Sequence, residues 1–157
     1  MLGHASILVA EDDTNDILLM RRAFEIARIP NPIQVVTNGR EAVAYLEGSG
    51  QYSNRELYPF PGLLLLDLKM PWMDGFDVLR WMRSQEHLSS LPVVILTSSN
   101  LESDIKKSKL FGVFDYRVKP NRFEDLVKLI TDVRQQWLRE NGGPIEAADE
   151  GQRLRSK

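Results

Sequence analysis

The chain has 157 residues, 20 basic against 22 acidic side chains and no cysteine, which is enough for one domain with a real core and too little for two ordinary ones. Its basic residues are spread along the chain, so charge marks neither a nucleic-acid surface nor a membrane-binding patch, and the missing cysteines exclude thiolate catalysis, disulfides and cysteine metal sites. No apolar run approaches a membrane span and the amino terminus lacks the layout of a signal peptide, so a soluble cytoplasmic protein is expected.

Ile7 to Ala10 is a compact apolar strand that stops at Glu11-Asp12-Asp13. A helical pattern follows, with Ile17, Leu18, Met20, Phe24 and Ile26 on it, and Asp13 or Thr14 is placed to cap it. Pro30 and Pro32 end that segment. Ile33 to Val36 reads as a second strand, and Asn38-Gly39 turns into a helix from Arg40 to Glu47 with Ala42, Val43 and Leu46 inward. The next connection, Gly48 to Gly62, is long for a helix-to-strand link, where roughly 2 to 6 residues is usual.

Leu63 to Leu66 is a short unbroken apolar run, the mark of a strand buried on both faces of a parallel sheet. Asp67 sits at its carboxyl end, and Pro71 and Gly75 lead into a third helix from Phe76 to Arg83. Val93 to Leu96 is the fourth strand, ending in Thr97-Ser98-Ser99, with a helix starting at Glu102. Val113 to Val118 is the fifth, ending in Lys119-Pro120. Phe123, Leu126, Val127, Ile130, Val133, Trp137 and Leu138 then stripe a last helix from Arg122 to Glu140.

Five strands alternating with five helices, joined by right-handed crossovers, give a flavodoxin-like doubly wound α/β sheet of order 2-1-3-4-5. Residues 1–140 are expected to form the domain, and 141–157, rich in Gly, Pro and charge, a loose tail. The last helix outruns its strand, about 28 Å against about 20 Å. Its end, with Trp137 and Leu138, is therefore expected to overhang the sheet and offer a surface for a homodimer.

In a parallel sheet all strand tips lie on one edge, which gathers Glu11, Asp12, Asp67, Thr97 and Lys119. Three carboxylates so close would repel one another, and Mg²⁺, which takes oxygen ligands and keeps several waters, relieves that repulsion. Asp67 then has the character of a carboxylate nucleophile that forms an aspartyl phosphate, with the Thr97 hydroxyl and Lys119 ammonium serving phosphoryl oxygens. Singly, each residue is a common cap, strand former or break; their joint placement points to chemistry.

The acidic pair of Ile7-Leu8-Val9-Ala10-Glu11-Asp12-Asp13, the run Asp67-x-x-x-Pro71-x-x-Asp74-Gly75, Leu96-Thr97-Ser98 and Tyr116-x-x-Lys119-Pro120 resemble the receiver domain of two-component response regulators. The resemblance covers residues 6 to about 138. It implies that Asp67 accepts phosphate from a histidine kinase, that Asp12 and the Lys69 carbonyl join Asp67 as metal ligands, and that Glu11, where the family more often has Asp, acts through water. It implies a switch made of Thr97 and Tyr116, and a cis peptide between Lys119 and Pro120. The long loop with Tyr52, Tyr58 and Phe60, together with the Trp-Leu ending of the last helix, resembles the phytochrome-associated subgroup, so the kinase is expected to be of phytochrome type.

Two alternatives use the same residues. An aspartate-nucleophile phosphatase needs a second acid two places on, where this chain has Lys69. An adaptor working without phosphorylation would lack the nucleophile, threonine or lysine, and all three are present. Too little chain follows the last helix for a DNA-binding module, so the signal is expected to leave by protein contact or along a phosphorelay.

Overall fold

The computed structural model describes residues 2–141; the expected tail from 142 onward lies outside them. Five parallel strands, β1 (Ile7–Ala10), β2 (Ile33–Val36), β3 (Leu63–Leu66), β4 (Val93–Thr97) and β5 (Asp115–Val118), form one sheet in the order β2-β1-β3-β4-β5. They alternate with α1 (Thr14–Ile26), α2 (Gly39–Glu47), α3 (Gly75–Arg83), α4 (Glu102–Leu110) and α5 (Phe123–Asn141). The expected order is the observed one. Strands β1, β3 and β4 are buried throughout, as unbroken apolar runs require when helices cover both faces.

Alternation along the strands divides the core in two. Ile7, Val9, Leu63, Leu65, Val94 and Leu96 face α1 and α5, packing on Met20, Phe24, Ile130, Val133 and Trp137. Leu8, Ala10, Leu64, Leu66 and Ile95 face the other way, onto Leu46, Val78, Leu79 and Met82 of α2 and α3. Caps set where the helices begin: Asp13 accepts from the Asp16 amide, Asn38 from Glu41, and Asp74 and Asp77 cap α3 reciprocally.

Two expectations, the overhang of α5 and the cis peptide, need correction. Trp137 and Leu138 do not overhang: they are 0% and 7% exposed. The segments entering β3 and β4, including Phe60, Pro61 and Pro92, lie beside the indole and extend the domain past the strand's own length. Among the described residues the last turns of α5 therefore carry no exposed large apolar side chain. On α1, Leu18 and Ile26 are exposed, because the buried face runs through Met20, Ala23 and Phe24. No cis peptide occurs among the described residues, so Lys119–Pro120 is trans, the lower-energy isomer, and Lys119 still reaches the sheet edge.

The long connection between α2 and β3 is not irregular throughout. It makes a short 3-10 turn at Gly50–Tyr52, and Tyr45, Tyr52 and Tyr58 meet with ring centroids 4.9 to 6.1 Å apart. Arg55 lies over Tyr45 and donates to the carbonyls of Leu46 and Tyr58, while the Tyr45 hydroxyl donates to Pro59. These contacts pin the loop over α2. No helix among the described residues is long and apolar enough to cross a membrane.

Candidate functional site

The site forms because β1 and β3 are hydrogen-bonded neighbours in matching register. Ala10 pairs with Leu66, and the ladder continues one step further, with the Asp67 amide donating to Ala10 at 3.1 Å and the Glu11 amide to Val36 at 2.9 Å. Glu11 and Asp67 therefore emerge side by side at the carboxyl edge, where open α/β sheets bind ligands. On the far side, β4 and β5 bring up Thr97 and Lys119, tied by a 2.7 Å bond from the Lys119 amide to the Thr97 carbonyl. Thr97 is fully buried.

Lys119 is the hub. Its ammonium lies 2.9 Å from Asp67 Oδ2, 2.6 Å from Glu11 Oε1 and 2.7 Å from Asp16 Oδ2. The Glu11 contact is a close ion pair rather than an aligned hydrogen bond. The other Glu11 oxygen accepts the Asp13 amide at 2.9 Å, and Asp67 Oδ1 accepts the Lys69 amide at 3.2 Å. Glu11 and Asp67 are 1% and 6% exposed, whereas Asp12 is exposed.

One cation is shared by three carboxylates. Burial pushes the Glu11 carboxyl up to about 7, against the pull of Lys119 and the Asp13 amide and with the Asp67 charge adding to it. At Lys119 burial works against the ammonium, but its bonds to Asp16, Glu11 and Asp67 outweigh that and raise it above its ordinary value. The pocket thus retains excess negative charge even with Lys119 in place.

The donor set fits a hard divalent cation. Glu11, Asp12 and Asp67 each offer an oxygen within 4.8 Å of the others, and the exposed Asp12 leaves room for the waters that such an ion keeps. The loop after Asp67 is held closely. Gly75 donates to the Leu68 carbonyl at 2.9 Å, and a Cβ there would stand 2.5 Å from the Asp67 carbonyl oxygen. At the loop apex Trp72 is 76% exposed with φ 68°, the left-handed region that few bulky residues adopt.

Every strand-end residue expected at the site lies at this edge, while the Lys69 side chain is exposed and its amide serves Asp67. Tyr116, half-buried on β5, donates its hydroxyl to the Ser99 carbonyl at 2.9 Å, joining β5 to the segment after Thr97. Ser99 in turn donates to Asp104 on α4 at 2.6 Å. Sequence reasoning missed that pair and missed Asp16, whose only sign was its place in the first turn of α1.

Residues 7–131 match the model of the response regulator receiver domain. The chain is 34% identical over 141 residues to the probable methanogenesis regulatory protein FilR2 of Methanothrix harundinacea, covering 88% of this chain and 86% of that one. It is 33% identical over 132 residues to response regulator Rcp1 of Synechocystis, covering 84% and 88%. The phosphorylated cyanobacterial phytochrome response regulator RcpA superposes with a TM-score of 0.79 at 35% identity, covering 86% and 94% of the two chains. The Mn(2+)-bound form of Rcp1 does so with a TM-score of 0.76 at 32% identity, covering 87% and 96%. With its strand order, its acidic edge and a match spanning most of its length, the chain belongs to the response regulator receiver family.

Proposed function

We propose that this protein accepts a phosphoryl group on Asp67 from a phosphohistidine of a histidine kinase and passes the state on by protein contact or phosphorelay. The observation that carries the reading is the convergence of Asp67, Glu11 and Lys119 within ion-pair distance at one sheet edge, beside the exposed Asp12. An Asp67 oxygen attacks phosphorus as the phosphorus–nitrogen bond breaks. The electron pair leaves with the imidazole nitrogen, and the product is an acyl phosphate. Lys119 turns its ammonium from the Asp67 carboxylate to a phosphoryl oxygen, and the Thr97 hydroxyl serves a second. Asp12, Asp67 and the Lys69 carbonyl would hold Mg²⁺, with Glu11 acting through water, and the bound ion supplies charge neutralisation for the phosphoryl oxygens.

Thr97 and Tyr116 form the switch in this reading. Tyr116 already holds the Ser99 carbonyl, so a movement of Thr97 toward phosphate alters that contact and the β5 surface beside it. Residues 1–140 act as the receiver in the cytoplasm, and likeness to RcpA and Rcp1 supports a phytochrome-type kinase as donor. Incubation with acetyl phosphate and Mg²⁺ tests the acceptor: the chain should gain one phosphate in mass and its Asp67→Asn form none. Equal gain by both forms, or by neither, overturns the assignment. Light-dependent transfer from a phytochrome kinase tests the donor.

A further inference from the structure

Asp16 lies in the first turn of α1, outside the group of Glu11, Asp12 and Asp67, whose oxygens lie within 4.8 Å of one another. Its carboxylate nevertheless reaches across to Lys119, 103 residues away in sequence, at 2.7 Å. An ammonium has three donors, and around Lys119 there are three carboxylates, Glu11, Asp67 and Asp16. One of these changes during the reaction proposed above: when Asp67 becomes an acyl phosphate it ceases to be a free carboxylate. The other two remain: Glu11, the residue after β1, and Asp16 in the first turn of α1.

We infer that Asp16 is a positioning residue that, with Glu11, holds the Lys119 ammonium aimed at the reacting oxygen throughout phosphoryl transfer. A lysine side chain is a flexible four-carbon stem whose ordering costs rotamer entropy, so a tether independent of Asp67 fixes it before phosphate arrives. Asp16 is suited to this because it is only partly exposed, with a third of its side chain accessible, whereas the Lys119 side chain is 13% exposed. A charge-assisted bond between partly buried groups is screened much less than one between exposed groups. A small cavity lined by Asp16, Leu19, Leu96, Lys119 and Pro120 lies beside the contact. Without Asp16, water entering there would take one donor of Lys119 and leave the stem mobile.

This inference rests on Asp67 being the acceptor, and its test separates the two. Asp16→Ala is expected to slow phosphate uptake from acetyl phosphate about tenfold, the loss of one positioning bond worth about 1.4 kcal/mol. Asp16→Asn, which keeps an acceptor oxygen, should restore most of the rate. In a Lys119→Met background, Asp16→Ala should change uptake less than twofold, because the group it positions is gone. If Asp16 served only to favour the amino end of α1 through the helix dipole, Asp16→Ala would lower stability but leave the rate unchanged, or would slow both backgrounds alike; either result overturns the inference. A readout independent of phosphorylation is the side-chain ammonium signal of Lys119 in nitrogen NMR. It should be protected from exchange in the parent chain and broadened at least tenfold in Asp16→Ala, and an unchanged signal overturns the inference even if the chain takes up no phosphate.

Discussion

Replacing Glu11 by Gln removes the most buried charge of the site, and its effect on stability should depend on pH in a defined direction. The Glu11 carboxyl titrates near 4.5 when the chain is unfolded and is pushed up to about 7 by burial in the fold. Between those values the folded protein binds a proton that the unfolded chain does not, so stability falls as pH rises from 4.5 to about 7 and stays reduced above it. Each pH unit is worth about 1.4 kcal/mol, which caps the penalty at about 3 kcal/mol. Gln retains an oxygen for the Asp13 amide but gives up the ion pair with Lys119. The net gain for Glu11→Gln without divalent cation is therefore about 1–2 kcal/mol at about pH 8, and near zero or negative at about pH 5. Denaturant unfolding of both chains across that range, with chelator present, measures it. Adding Mg²⁺ should shrink the gain by stabilising the parent chain. A difference that is flat with pH, or a destabilised Gln variant at about pH 8, would refute the electrostatic account.

Other outcomes follow from packing and access. Trp137→Ala should cost about 3–5 kcal/mol in unfolding free energy, since the indole is wholly inside its own domain; a loss below about 1 kcal/mol would mean that the end of α5 frays freely. Gly75→Ala should destabilise by at least about 2 kcal/mol and slow phosphate uptake, because its Cβ would press on the Asp67 and Leu68 backbone, which cannot swing aside as a side chain can. Lys69→Ala should alter loss of phosphate, followed after removal of excess acetyl phosphate, more than its uptake: the exposed side chain stands two places after Asp67, where it can obstruct or guide water. Equal changes in both rates would count against that placement.

Much of the molecule was legible in the order of its residues because parallel strands carry a local signature. Leu63 to Leu66 can be buried on both faces only in a covered sheet, and once five strands alternate with helices, the crossover rule leaves few arrangements. The gathering of Glu11, Asp67, Thr97 and Lys119 then follows from topology, since every strand ends on the same edge. What sequence could not decide depends on distances between distant segments. Asp16 reads as an ordinary first-turn acid until the fold brings the start of α1 to the end of β5 and its carboxylate meets Lys119. Trp137 reads as an overhang when strand length alone is counted, yet it is fully buried and lines one cavity with residues before β3 and β4. A periodic pattern tells which side of an element is apolar; only the assembled fold decides how far its neighbours extend and which charges share a partner.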